Sequence, residues 1–281
     1  MNKVVLLPGH GGFDSGSCNQ INGVRECDGN LSVSLKLKEL LEYNNFKVAI
    51  SRTTDIACGG ATNSNQDVNN QIYFANNSGA DIAIAIHFNG SLNTTAHGIE
   101  TLYSQYNGFT KENIKLSTLL LEELVSITGL SNRGIKDSGK SVGVVRAIKI
   151  PVSLTECAFV TNPKEYIWCS NPDRQIILAK AHAKAVCKYF KVEYKEENTE
   201  EEDNMVRYNK LSDIPNEWKF RDIIEILMNA KIINGDGSDQ YGNDDVINLS
   251  EDQVRSLIFE YRGGAFDRKL IKEGMKPAVD I

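Results

Sequence analysis

No stretch of this 281-residue chain approaches the roughly 20 consecutive apolar residues of a membrane-spanning helix. At the N-terminus stand one Lys and a single four-residue apolar run, Val4 to Leu7, where a secretory leader needs about 7–15 apolar residues. No signal peptide and no membrane partner are therefore expected. The chain is expected to be made in the cytosol and to reach any extracellular target by another route. The six cysteines, at 18, 27, 58, 157, 169 and 187, include no Cys-x-x-Cys pair. They are expected to be reduced thiols rather than a disulfide framework, with Cys157 and Cys187 in the core. Histidine is scarce, four in all, and no cluster of Lys and Arg points to a nucleic-acid partner. At 41% hydrophobic and 24% charged, the composition is that of an ordinary globular protein with material for a sizeable core.

Charge is unevenly spread. Residues 1–192 carry 19 Lys/Arg against 16 Asp/Glu (+3), residues 193–203 one Lys against seven acids (−6), and residues 204–281 eleven against fourteen (−3). An acidic, self-repelling segment cannot bury much apolar surface, so 193–204 reads as a linker between a large domain, 1–192, and a small one, 205–281. In the large domain Val4–Leu7, Phe46–Ile50, Ile82–Ile86, Gly98–Tyr103 and Val152–Thr155 read as strands, and Leu31–Tyr43, Gln66–Asn77, Thr110–Thr128 and Arg174–Tyr189 as helices. Apolar strands alternating with helices predict an α/β fold, a mainly parallel twisted sheet with helices on both faces.

Sites in such folds form at the C-terminal ends of strands. After Leu7 comes Gly9-His10-Gly11-Gly12, after Ile86 comes His87-Phe88-Asn89, and after Thr155 comes Glu156, while Glu26 opens the helical region behind the first loop. Two His and one carboxylate are a ligand set for catalytic zinc with a fourth position open to water, and a second carboxylate near that water can move its proton. His10, Glu26 and His87 fit as ligands and Glu156 as the base. Taken singly, each has a plainer reading. A strand-end His is commonly a hydrogen-bonded structural residue, and Glu26 is readable as a solvated acid at a helix start. Glu156 interrupts a buried run and needs a partner there.

Seven segments in order carry a resemblance. They are Leu7-Pro8-Gly9-His10-Gly11-Gly12-Phe13-Asp14-Ser15-Gly16; Glu26 with Asn30-Leu31; Ser51-Arg52-Thr53-Thr54-Asp55; Ala80-Asp81 through Ile86-His87-Phe88-Asn89; Gly98-Ile99-Glu100-Thr101-Leu102-Tyr103; Asn132-Arg133-Gly134-Ile135-Lys136; and Pro151 through Thr155-Glu156-Cys157-Ala158-Phe159-Val160-Thr161-Asn162-Pro163. Over residues 3–190 the chain resembles the zinc N-acetylmuramoyl-L-alanine amidases of phage endolysins and of Gram-positive autolysins and spore amidases. The resemblance implies Zn²⁺ held by His10, Glu26 and His87, Glu156 as catalytic acid/base, and peptidoglycan as substrate, cut between N-acetylmuramic acid and L-alanine. Departures are Gln71, where an Arg is usual and a supporting ion pair is altered, Cys27 after the Glu ligand, and Cys157 for a Gly. Asn89 and Arg133 are candidate substrate contacts, with loop fixing as their alternative role. Cys18 and Cys27 flank the metal loop and are weaker candidate ligands. His97 is expected in an exposed loop and His182 on a helix surface or interface.

In the small, mostly helical domain, 217–230 places apolar residues at 218, 220, 223, 224, 227 and 228, and Ser250 with Gln253 forms a capping box for a helix over 251–260. Leu211 through Pro215, Trp218, Ile232 through Gly237, Ile247 through Ser250 and Gln253 resemble one repeat of a surface-layer-homology-like wall-binding module. That implies binding to the wall or a secondary wall polymer, and a lone small repeat gains stability by self-association. Asp236, Asp239 and Asp244 read as turn formers, and Met205 as an ordinary internal residue rather than a second start. The function expected is that of a phage endolysin, held in the host cytoplasm until lysis and then acting on the cell wall. The alternatives are a bacterial autolysin or spore-lysis amidase and, in another class, a non-catalytic wall-binding protein.

Overall fold

The structure is a computed structural model that describes residues 1–196, 207–216, 219–233, 246–262 and 265–278. By its internal contacts the chain divides into two units, Met1–Glu197 and Asn198–Ile281.

The larger unit is built on the alternation of side chains along its strands. Six strands, β1 (Lys3–Pro8), β2 (Lys47–Ile50), β3 (Ile82–Asn89), β4 (Ile99–Tyr103), β5 (Asn132–Asp137) and β6 (Val152–Phe159), form one sheet in the order β2-β1-β3-β6-β4-β5. Pairing is parallel except between β4 and β6, so the sheet is mainly parallel, as the pattern predicted. Val4, Leu6, Ile82, Ile84, Ile86 and Phe88 project to one face, where α1 (Glu26–Tyr43), α3 (Thr110–Thr128) and α6 (Pro172–Phe190) cover them. Val5, Leu7, Ala83, Ala85 and Leu154 project to the other, under α2 (Ser64–Asn77) and the short α4 (Gly143–Ala147). A further short helix, α5 (Ile167–Ser170), precedes α6. β3 and β6 are buried on both sides, which is why they read as nearly continuous apolar runs.

Several expectations need correction. β3 and β6 run three and four residues past their apolar cores, to Asn89 and Phe159, because ladder pairing continues through polar residues. Glu156 is therefore inside a strand, not at its end. β5, Asn-Arg-Gly-Ile-Lys-Asp, has no apolar run; it is an edge strand held by pairing to β4. His182 is fully buried rather than on a surface. Its Nε2 lies 3.0 Å from Thr155 Oγ1 and its Nδ1 2.7 Å from the Leu178 carbonyl, so both ring nitrogens find partners in the core. Helix α1 begins at Glu26, five residues ahead of the apolar pattern.

In the smaller unit, β7 (Arg207–Lys210) pairs antiparallel with β8 (Val246–Ser250), and α7 (Phe220–Asn229), α8 (Glu251–Arg262) and α9 (Asp267–Lys272) accompany them. Leu211, Ile214, Ile223, Ile224, Leu227, Val254 and Ile258 form its core. Of the expected features, Met205, Trp218, Asn234 to Gly237, Asp239, Asp244, residues 197–204 of the linker and the Ser250 side chain lie outside the described residues. No helix among the described residues is long and apolar enough to cross a membrane.

Burial lowers the His182 pKa from 6.5 to about 4. A base depressed on folding contributes stability that is complete above its unfolded pKa and lost as pH falls through the folded one. The full difference is on the order of 3 kcal/mol. Between pH 7 and 4, denaturant unfolding of wild type is expected to lose that much more stability than His182→Gln, and parallel pH dependences in the two proteins would contradict it.

Candidate metal centre and active site

β1 delivers the chain into Gly9-His10, where backbone space is tight. Gly9 N–H donates to the Ile86 carbonyl at 3.0 Å, and a Cβ at Gly9 would stand 2.1 Å from His87 Cε1. His10 sits in the left-handed region at φ 60°, a conformation that costs a non-glycine residue roughly 1–3 kcal/mol. Asp14 Oδ2 accepts at 2.8 Å from His10 Nδ1 and turns its Nε2 inward. Arg52, itself buried, fixes the loop from behind. It donates to the carbonyls of Pro8 at 3.2 Å, Gly9 at 2.9 Å and Cys27 at 2.8 Å, tying the end of β1 to the start of α1.

Glu26 is the first residue of α1 and is 3% exposed. Its Oε1 lies 2.9 Å from His87 Nδ1 and 3.2 Å from His10 Nε2. It also accepts from Phe88 N–H at 3.2 Å, while Oε2 accepts from Ser17 N–H at 2.8 Å. Asn30 Nδ2 bridges Glu26 Oε1, at 3.4 Å, and the Gly9 carbonyl, at 3.1 Å. Burial opposes the charge on Glu26, but the bonds from His10 and His87 dominate and hold its carboxyl well below the usual range. The helix N-terminus acts in the same direction. For His10, burial favours the neutral ring, yet Glu26 and Asp14 outweigh it and lift the pKa to about 9.

One donor atom from each of His10, Glu26 and His87 lies within 4.8 Å of the others. Here two imidazole nitrogens converge on one ionised carboxylate oxygen at the edge of an open pocket, a donor set that suits a divalent zinc with room for a further ligand. The same glycines keep that space: a Cβ at Gly16 would lie 2.7 Å from both Glu26 Oε2 and His10 Cδ2. The residues present therefore fit the metal.

Glu156 is the register partner of His87 across β3 and β6, and of Glu100 across β6 and β4, so the three side chains stand in a row on one face. It lines a pocket of about 480 Å³ with His10, Glu26, His87, Asn89 and Gly90. Although the residue as a whole is only half-buried, its Oε2 is shut from solvent and bonded to nothing. Burial, then the charges of Glu26 and Glu100, push its carboxyl well above the usual range.

Sequence reasoning passed over the roles of Glu100 and Lys136. Glu100 Oε2 binds Arg133 Nε at 2.6 Å and Lys136 Nζ at 2.5 Å, and its Oε1 accepts from Asn89 Nδ2 at 3.2 Å. Arg133 also reaches the His97 carbonyl at 3.2 Å and lies over the Phe159 ring. No local pattern marks this meeting, because Glu100 comes to oppose Glu156 through the β4–β6 register. Asn89 thus lines the pocket, whereas Arg133 is connected to it through Glu100, and both fix its wall.

The other candidates fall away from the cluster. Cys27 points toward Asp28 and Asp55 instead, and Arg25 already bridges those two acids at 2.5 and 3.1 Å. Burial pushes the Cys27 thiol up to about 11, away from the ligating thiolate. Cys18 Sγ is taken up by Ser15 Oγ at 3.2 Å. His97 is exposed. Gln71 keeps a bond to Asp67 at 2.6 Å, neutral where an Arg would have made an ion pair.

A family model described as N-acetylmuramoyl-L-alanine amidase matches residues 4–188. The N-acetylmuramoyl-L-alanine amidase CwlM of Bacillus licheniformis is 29% identical over 192 residues, 68% of this chain and 69% of that one. The germination-specific N-acetylmuramoyl-L-alanine amidase of Bacillus subtilis is 26% identical over 67% of this chain and 80% of its own length. Among solved structures, the N-acetylmuramoyl-L-alanine amidase of Clostridium difficile 630 superposes with a TM-score of 0.60 at 32% identity, covering 68% of this chain and 97% of that one.

Asp14 touches the cluster only through His10 Nδ1. Loss of such an orienting partner typically costs about 10–100-fold in metal affinity. Asp14→Ala is expected to weaken zinc binding by that factor in a competition titration with a chromogenic chelator, and an unchanged affinity would show that the His10–Asp14 bond orients nothing.

Proposed function

The chain belongs to the N-acetylmuramoyl-L-alanine amidase family, and we propose that it is a zinc hydrolase that cuts the amide between the muramic acid lactyl group and the first alanine of the peptide stem. His10, Glu26 and His87 would hold the metal, supported by their mutual approach and by the ionised state of Glu26. Bound there, zinc supplies Lewis-acid polarisation of the amide carbonyl and acidifies water.

The observation that carries the reading is the buried, unpartnered Oε2 of Glu156, whose side chain lines the pocket of the three donors. A buried carboxylate oxygen without a partner is costly, and use in the reaction accounts for keeping it. Glu156 accepts the proton of the attacking water and passes it to the departing peptide nitrogen. The two halves of that task need opposite protonation states. Burial and the charges of Glu26 and Glu100 favour the protonated, donating form; neutralising Glu26 by metal ligation favours the accepting form. Asn89 and Arg133, bonded through Glu100, would border the bound substrate.

The smaller unit is proposed as a wall-binding or self-associating module, and the enzyme as an endolysin that stays in the host cytoplasm until lysis. A germination-specific relative favours a second reading, a spore-lysis amidase of bacterial origin. Adding the protein from outside to vegetative walls and to spore cortex separates the two, since each reading requires its own wall to be the faster substrate.

Mass spectrometry of digested peptidoglycan is expected to show stems with free N-terminal Ala and no new reducing sugars, and a chelator should stop their release. Glu156→Gln is expected to lose about 10²–10⁴-fold in turnover while keeping one zinc per chain by elemental analysis. Near-normal turnover, or loss of zinc along with activity, would remove the assigned role.

A further inference from the structure

Two chemically different surfaces leave the site. Ser17 and Gly90, which line the pocket of Glu156, also line a neighbouring groove of about 460 Å³. No charged residue lines that groove. Its polar side chains are neutral: the amides of Asn19 and Gln20, the hydroxyls of Ser17, Ser91, Thr94 and Thr161, and the Cys18 thiol. Two large aliphatic residues from its two loops, Ile21 at 90% and Leu92 at 106% exposure, stand in solvent with no part in the core. The loops carrying them are held in place: Ser91 N–H donates to Thr161 Oγ1 at 3.0 Å, Asn19 Nδ2 to the Val160 carbonyl at 2.9 Å, and Gly90 packs so closely on Ser17 that a Cβ would meet its Oγ at 2.2 Å. A groove with apolar walls, a few neutral polar groups and braced loops beside a reactive pocket has the make-up of a ligand cleft.

On the other side of Glu156 the row continues through Glu100 to Lys136 and Arg133. Two cations share one carboxylate there, which leaves a net positive charge, and both are part-exposed, with 43% of the Lys136 and 34% of the Arg133 side-chain surface open.

The substrate of the proposed reaction has the same asymmetry. Its sugar strand is neutral, because the one carboxyl of muramic acid is consumed in the amide that is cut; it presents hydroxyls, acetamido groups and apolar ring faces. The peptide stem keeps free carboxylates. Resting on the amidase reading, we propose that the glycan strand lies in the Ile21–Leu92 groove and that the stem crosses Lys136 and Arg133, which select stems carrying a carboxylate.

Kinetics on four soluble substrates test this. They combine one sugar or four with a stem whose second residue, D-glutamate, carries its α-carboxylate free or as the carboxamide. Wild type is expected to favour four sugars and the free carboxylate in kcat/KM. Ile21→Ser/Leu92→Ser should lose about tenfold on four-sugar substrates and little on one-sugar substrates, whatever the stem. Lys136→Met should lose about fivefold on the carboxylate stem and little on the carboxamide, whatever the glycan length, with Lys136→Arg restoring the preference. As a readout apart from turnover, a neutral N-acetylglucosamine tetramer should bind wild type more tightly than the Ile21/Leu92 variant by calorimetry. The assignment is overturned if the Lys136→Met loss is equal on both stems, if the Ile21/Leu92 loss is equal on short and long glycans, or if the two variants exchange dependences. A wild type that cuts none of the four substrates defeats the amidase reading itself, whereas cutting without these preferences defeats only the assignment of the two surfaces.

Discussion

A buried, ionised Glu26 is the constraint around which the larger unit is organised. Taking a carboxylate out of water costs several kcal/mol unless every lone pair is met, and Glu26 is 3% exposed. Its partners come from three separate parts of the chain: Ser17 N–H from the first loop, Phe88 N–H and His87 Nδ1 from the end of β3, and His10 Nε2 from the end of β1. None of these groups can move far without orphaning the charge. Arg52, spanning the carbonyls of Pro8, Gly9 and Cys27, makes the same demand from below. It is a buried cation met by peptide dipoles rather than by an acid, so it ties two backbone segments together without cancelling the negative charge at the site.

The sheet supplies the rest by simple alternation. Ala83, Ala85 and His87 share a face of β3, Leu154 and Glu156 share that face of β6, and Leu102 and Glu100 share it on β4. Below, these positions are apolar and lie under α2 and α4. One residue pair further along, the same face becomes His, Glu and Glu in lateral register. Core and chemistry are therefore successive stretches of one surface, and a shift of one residue in β6 would turn Glu156 into the α1–α3–α6 core and Cys157 into the pocket.

Much of this was readable in advance because it rests on periodicity. The apolar runs of β1, β3 and β6 and the long amphipathic helices need only local pattern. His10 follows from the rule that sites form where parallel strands end, while His87 and Glu156 were picked out by the end of an apolar run although both lie inside their strands. What escaped depends on pairing between distant segments. β5 has a polar sequence and exists as a strand through its bonds to β4. His182 read as a helix-surface or interface residue because Thr155, its ring partner, is 27 positions away in sequence. Glu100 and Lys136 lay within recognised segments, but their meeting with Arg133 depends on the β4–β5–β6 register. Burial of Glu26 was likewise invisible, since a Glu at a helix start is ordinarily solvated.

Three buried or half-buried glutamates in this unit show how burial alone fails to separate structure from chemistry. Glu165 is 5% exposed, and its two oxygens accept from Gly98 N–H at 2.8 and 3.0 Å and from Phe159 N–H at 3.0 Å. Those are peptide groups, so Glu165 splices the loop after β6 to the start of β4. Glu26 is equally well met, but two of its partners are imidazoles, which bind metals as readily as protons, and both face an open pocket. Glu156 is met by nothing at Oε2. Glu165 thus has backbone donors at both oxygens, while Glu156, nine residues earlier in sequence, has none at Oε2. Filling that position with a backbone N–H would stabilise the carboxylate permanently and remove the proton traffic for which an uncommitted, easily protonated oxygen is suited.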